Sequence, residues 1–248
     1  MISKLVDYPG PLWRPYSSVA ILVVVLWVIF WGPLVILTSL LRNRDLTTWM
    51  VRAWNRGVLA IFRIKVRAKI DPSYDPTKPC LLVCNHQSHL DIPVIYFALR
   101  GHVRMVAKKE LFRIPIFGYS LRAAEFIPID RGNPEAGRKA AQKISERVRS
   151  GLQIWVAPEG TRSDDGKLGA FKSGSFGVAI DAGVPIQPLV VKNAYLALQK
   201  HEKLVKIGMT IDFEVLPQIK ASDQVKENRH QLAEVTRAAI LAKLESKA

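Results

Sequence analysis

Between Arg14 and Arg42 the chain carries no charged side chain, and Val19 to Leu41 is almost wholly apolar. About 20 apolar residues are enough for a helix to cross the hydrocarbon core of a bilayer. Gly32-Pro33 interrupts the run, because proline donates no N–H and crowds the preceding turn. No small-residue cleavage pattern follows, so the segment reads as retained, either as a kinked span or as a bent helix in one leaflet. Asp45 offers an N-cap for a second helix, in which Leu46, Trp49, Met50, Ala53, Trp54, Val58 and Ile61 recur at helical spacing. Arg52, Arg56 and Arg63 flank that stripe, and Trp with Arg at an apolar margin suits a helix lying in a membrane interface. An ordinary amphipathic helix packed on a domain has the same spacing.

At Ile64 the period changes. Ile64, Val66, Ala68 and Ile70 alternate with Lys65, Arg67 and Lys69, which predicts a half-exposed strand. Residues 71–76 are a loop rich in Asp and Pro. Short apolar runs at 80–84, 103–107, 125–129, 152–156 and 186–191 predict buried strands, and a further strand falls within 206–216. Between them lie helical patterns at 92–99, after Gly118, at 134–149 and near 173–182, with a closing helix from about 222 to 246 begun by Ser222 or Asp223. Strands alternating with helices predict an α/β domain over a mixed, largely parallel sheet. The chain thus divides into N-terminal membrane-associating helices, 1–62, and an α/β domain, 63–248.

The 248 residues are enough for one sizeable core. A hydrophobic content of 49% and a mean hydropathy of +0.10 agree with a membrane-associated chain. Cys80 and Cys84 lie on one predicted strand, too close for a useful staple, so a disulfide framework is not expected. With His86 they form no metal set, since no second ligand cluster is present. Net charge is +15 with pI ≈ 10.0, which implies an anionic partner: nucleic acid, a membrane surface or a phosphorylated substrate. Ten basic residues against Asp7 and Asp45 in the first 70 positions, beside the apolar run, favour lipid.

Chemistry gathers where predicted strands end, as open α/β sheets require. The run 80–84 delivers His86, and Asp91 opens the next helix with Pro93 in its first turn. On one continuous helix five positions would part these side chains. Across a strand-to-helix turn, the carboxylate folds back to an imidazole N–H and leaves the other ring nitrogen to take a proton. Lys108 ends the strand at 103–107, Arg131 follows the strand at 125–129, and Glu159-Gly160-Thr161-Arg162 follows the one at 152–156. Arginine forks suit phosphate oxygens, and lysine adds a point charge. Gly174-Ser175-Phe176-Gly177 lacks the glycine of a nucleophile elbow, and Ser175 stands where a Walker lysine is needed. A His–Asp pair without a Ser or Cys nucleophile suits direct activation of a substrate hydroxyl.

Asn85-His86-Gln87-Ser88-His89-Leu90-Asp91, Asp130-Arg131, Pro158-Glu159-Gly160-Thr161-Arg162-Ser163 and Val184-Pro185-Ile186-Gln187-Pro188 resemble, in order, the four signature blocks of the glycerolipid acyltransferases. The resemblance covers about residues 60–195, with two departures: Ala157 where the family commonly has Phe, and Pro128 within the second block. It implies transfer of a fatty acyl group from acyl-CoA or acyl-acyl carrier protein to lysophosphatidic acid, without cofactor or metal, at the cytoplasmic face of the inner membrane. On that basis His86 is the general base and Asp91 orients it. Lys108, Arg131 and Arg162 bind the acceptor phosphate, while Glu159, Gly160 and Thr161 shape its pocket. Another lysolipid as acceptor is the alternative within enzymes. A non-catalytic, membrane-tethered basic protein is the alternative outside them. Nucleic acid is not expected, since no exposed aromatics interleave with the basic residues.

Overall fold

The computed structural model describes residues 12–130, 134–221 and 228–246. Helices α1 (Trp13–Leu40) and α2 (Arg44–Ile61) form an antiparallel hairpin. Its open end is tied by Tyr16 Oη donating to the Ile61 carbonyl at 3.0 Å, and its middle by Trp27 Nε1 donating to the Trp54 carbonyl at 3.2 Å. The N-cap of α2 is Asn43 rather than Asp45: its backbone is extended, and its side-chain oxygen accepts the Leu46 N–H at 2.9 Å. Asp45 sits two residues further on, within the first turn, where its charge still favours the helix N-terminus.

Gly32-Pro33 does not break α1, which runs on through both residues. The proline forfeits one hydrogen bond, and packing of the helix's inner side against its neighbours holds the remainder. Gly32 serves close approach instead. A Cβ there would lie 2.5 Å from Ile116 Cγ2. The outer side of α1 is exposed and apolar, with Val19, Leu22, Leu26, Ile29, Phe30 and Leu37 facing outward. Among the described residues α1 alone is long and apolar enough to cross a membrane.

The sheet has seven strands: β1 (Lys65–Lys69), β2 (Leu81–Cys84), β3 (Val103–Lys108), β4 (Ile127–Ile129), β5 (Gln153–Val156), β6 (Ile186–Lys192) and β7 (Thr210–Val215). Their order is β1-β7-β6-β2-β5-β3-β4. The five strands from β6 to β4 are parallel; β7 runs against β6, and β1 runs with β7. The mixed, largely parallel sheet therefore stands.

Side chains alternate across the sheet. Leu82, Cys84, Met105 and Trp155 face α1, α2 and α3 (Asp91–Ala98), and Val51, Leu59 and Phe62 share that core. Leu81, Val83, Ile154 and Val156 face α5 (Pro134–Arg149), α6 (Gly174–Ala182) and α8 (Arg229–Glu245). Strand β2, fully buried on both sides, is the centre of the molecule. The expected start of α8 at Ser222 or Asp223 lies outside the described residues.

Candidate active site

Four neighbouring parallel strands, β2, β5, β3 and β4, end on one edge of the sheet. That edge collects most of the singled-out groups: His86 after β2, Glu159 to Arg162 after β5 and Lys108 at the end of β3. Arg131, after β4, lies outside the described residues.

Alternation along β2 carries on past Cys84 and puts His86 on the same side of the sheet as Trp155. The two rings stand 5.9 Å apart and nearly perpendicular, at 87°. The turn from 85 to 90 brings Asp91 back beneath the histidine. Asp91 Oδ2 accepts from His86 Nδ1 at 2.8 Å and from the backbone N–H groups of Gln87 and Ser88 at 2.8 and 2.9 Å. The carboxylate is fully buried, and the histidine side chain is 10% exposed. With Nδ1 committed, Nε2 is the ring nitrogen left over, and no described residue hydrogen-bonds to it.

The turn is held from two sides. Asn85 continues β2 as though its side chain were backbone: Nδ2 donates to the Val191 carbonyl and Oδ1 accepts the Val191 N–H, each at 2.9 Å. Ser88 Oγ donates to the Leu198 carbonyl at 2.8 Å. On the other flank, both backbone groups of His86 are taken by the segment after β5. Glu159 Oε1 accepts its N–H at 2.7 Å, and its carbonyl accepts the Ser163 N–H at 2.8 Å.

Glu159 is thereby a strut, since its second oxygen accepts the Gly169 N–H at 2.8 Å. Burial raises its pKa, opposed by the two backbone N–H groups. Gly160 takes φ +76 to close the turn, donating to the Ala157 carbonyl at 3.0 Å, with Lys172 packed where a Cβ would stand. Thr161 is exposed and Arg162 half-buried. Lys108 is 59% exposed, its Nζ 3.7 Å from Glu110, and its neighbour Lys109 pairs with Asp130.

His89, which the sequence offers only as one more residue of the 85–91 block, belongs to the mouth of the site. Surrounding chain, then Arg162 and His86, push its pKa down to about 4, although the residue is exposed. Trp155 was also missed, since an aromatic inside an apolar strand announces only core. Asn85 had a signal: a polar residue directly after a fully buried strand has to find partners for its amide.

Beside the site lies a small apolar cleft, partly open to solvent, between α1, α2, α3 and α4 (Phe117–Ala123). Trp31, Val35, Val51, Trp54, Tyr96 and Phe117 are among its walls. Two wall residues lead to the chemistry: Ile92 follows Asp91, and Met105 is the strand partner of Trp155. Among the described residues no group of His, Cys, Asp and Glu is placed to hold a metal.

A buried carboxylate–imidazole pair at the carboxyl edge of a largely parallel sheet, next to an apolar cleft, is an arrangement that suits an α/β enzyme and is able to take a proton from a bound group. The profile of the Acyltransferase family matches residues 63–192, and the chain belongs to that family. It is similar to the 1-acyl-sn-glycerol-3-phosphate acyltransferase of Haemophilus influenzae, 30% identical over 74% of this chain and 76% of that one. The human beta form is 30% identical over 73% of this chain and 64% of its own length. A chloroplastic enzyme of the same name from Brassica napus is 37% identical, over 48% of this chain and only 34% of its own length. The fold matches the crystal structure of the 1-acyl-sn-glycerophosphate (LPA) acyltransferase PlsC from Thermotoga maritima. That match has a TM-score of 0.78 and 22% identity, and covers 94% of this chain and 96% of that one.

Proposed function

We propose that this chain moves a fatty acyl group from an acyl thioester to the sn-2 hydroxyl of lysophosphatidic acid, giving phosphatidic acid. The observation that carries the reading is the 2.8 Å bond from His86 Nδ1 to an Asp91 oxygen that also accepts two backbone N–H groups. Such a carboxylate orients the imidazole and stabilises the imidazolium that forms.

His86 Nε2 takes the hydroxyl proton as the acceptor oxygen attacks the thioester carbonyl. The C–O bond forms, the C–S bond breaks, and the imidazolium returns its proton to the departing thiolate. No acyl-enzyme is required. Arg162, Arg131 and Lys108 supply cations for the acceptor phosphate, and the apolar cleft receives hydrocarbon. The names of the relatives support lysophosphatidic acid as acceptor. The thioester is that of coenzyme A or acyl carrier protein, and the reaction runs at the cytoplasmic face of the membrane, with α1 and α2 seated in lipid.

The test is an acylation assay of purified protein in lipid micelles, with a panel of lysolipids and both donors, scored by mass spectrometry and released thiol. Phosphatidic acid in equal amount to thiol is expected. Acylation of a different lysolipid in preference to lysophosphatidic acid would replace this acceptor.

A further inference from the structure

Residues 109–123 form the 3-10 turn Lys109–Arg113 and helix α4, and their side chains sort into two sets. Phe112, Gly118, Ser120 and Leu121 point inward, whereas Arg113, Ile114, Pro115, Tyr119 and Arg122 face out. We propose that this outward set is a second membrane-contacting surface, carried by the catalytic domain and seated on an anionic bilayer beside α1. The proposal rests on the reading that α1 lies in lipid, and it adds a contact that the N-terminal helices do not supply.

Ile114 is 45% exposed and Tyr119 65%. Single exposed apolar residues need no explanation. These two, however, flank the place where the segment is fastened to α1. Ile116 has φ 61 and ψ −60, a conformation that a β-branched residue adopts only under constraint. That backbone places its side chain in the notch at Gly32, level with the exposed Phe30 and Pro33. The apolar outer side of α1 thus continues onto the domain.

The polar rim has the charge a lipid surface calls for. Between residues 108 and 122 the chain has four basic residues and one acidic. Glu110 is engaged by Lys108, and Lys109 by Asp130, while Arg113 and Arg122 meet no carboxylate among the described residues. The Arg122 guanidinium lies 5.6 Å from the Tyr119 ring centre and 5.7 Å from that of Phe112. An arginine stacked on a tyrosine keeps its charge at the phosphates while the ring sinks beside the acyl chains. Lys108 directly precedes the turn, so docking here sets the rim of the active site against the lipid surface.

Cys80 and Cys84 are both buried, so a polarity-sensitive thiol dye can be placed at one introduced cysteine in the full chain. The sites are Tyr119→Cys, Leu26→Cys on the outer side of α1 and Val235→Cys on α8, with vesicles of phosphatidylcholine alone or mixed with phosphatidylglycerol. The dye is expected to shift to the blue at 119 and 26 but not at 235, and more strongly at 119 on the anionic vesicles. Arg113→Gln with Arg122→Gln should weaken the shift at 119 and leave that at 26. A shift at 26 without one at 119 overturns the proposal while sparing the membrane reading. No shift at either site overturns both. A shift at 119 produced by an acidic carrier protein and not by vesicles would make the surface a protein dock, and would also overturn it.

Discussion

Glu159 holds His86 by its backbone: Oε1 accepts the His86 N–H at 2.7 Å while Oε2 accepts that of Gly169 at 2.8 Å. One carboxylate thus joins the turn after β2 to the loop beyond β5. Glu159→Gln keeps the shape but offers one acceptor where two are needed, leaving a buried N–H facing an NH2 group. Such a mismatch costs about 1–3 kcal/mol. The expected outcome is a fall in kcat of roughly 10- to 100-fold, with faster amide exchange at His86 or Gly169. Full activity with both amides still protected would show that the strut is dispensable.

The imidazole is expected to be indispensable. His86→Ala should lower kcat/KM by at least about 100-fold, the lower end for removing a general base. Asp91→Asn should lose most of the activity too, because an amide NH2 facing Nδ1 favours the wrong tautomer. Circular dichroism should report an intact fold in His86→Ala. Hydroxylamine trapping should find no acyl-enzyme, and near-wild-type turnover in a folded His86→Ala protein would end the proposed mechanism.

Head-group recognition is tested by acceptor choice. Loss of one charge-assisted hydrogen bond costs roughly 1.5–3 kcal/mol, or about 10- to 150-fold. Arg162→Ala and Arg131→Ala should each lower kcat/KM for lysophosphatidic acid by that order, and far less for a neutral-headed lysolipid. Lysine should not restore full activity at either position, since the planar fork is lost. Equal losses on every acceptor would remove the phosphate assignment.

His89 sets a pH dependence with a definite sign. Its folded pKa, about 4, lies below the ordinary histidine value, so the unfolded chain binds the extra proton more readily between the two. Its contribution to stability is complete above about pH 6.5 and fades as pH falls toward 4. Because the residue is exposed, solvent screens the effect. His89→Gln should therefore flatten the fall in Tm between pH 6.5 and 4.5, and an unchanged slope in thermal melts would rule this out.

Membrane attachment should be apolar in kind. The outer side of α1 is exposed and uncharged, so high salt is expected to leave the full chain on membranes and detergent to release it. Release by salt alone would replace embedding with an electrostatic dock. Removal of residues 1–62 should cause aggregation, because Val51, Leu59 and Phe62 share a core with the sheet.

Much of this protein is readable along the chain because local rules decide it. The alternation at 64–70, the apolar runs at 80–84 and 152–156 and the spacing in 45–61 follow from periods of two and 3.6, which neighbouring residues settle among themselves. His86, Lys108 and the Glu159–Arg162 run stand out for the same reason: each follows an apolar run closely enough to mark a strand end. Their assembly on one edge, however, is a property of the order β2-β5-β3-β4, which depends on pairing between segments far apart in the chain, such as Leu81 with Ile154. The same holds for the reversal of β7 and β1, and for Glu159 meeting the backbone of His86. Pro33 makes the point in the other direction. Its local preference to end a helix is real, yet packing such as that of Ile116 against Gly32 carries α1 through it, because tertiary contacts outweigh a single lost hydrogen bond.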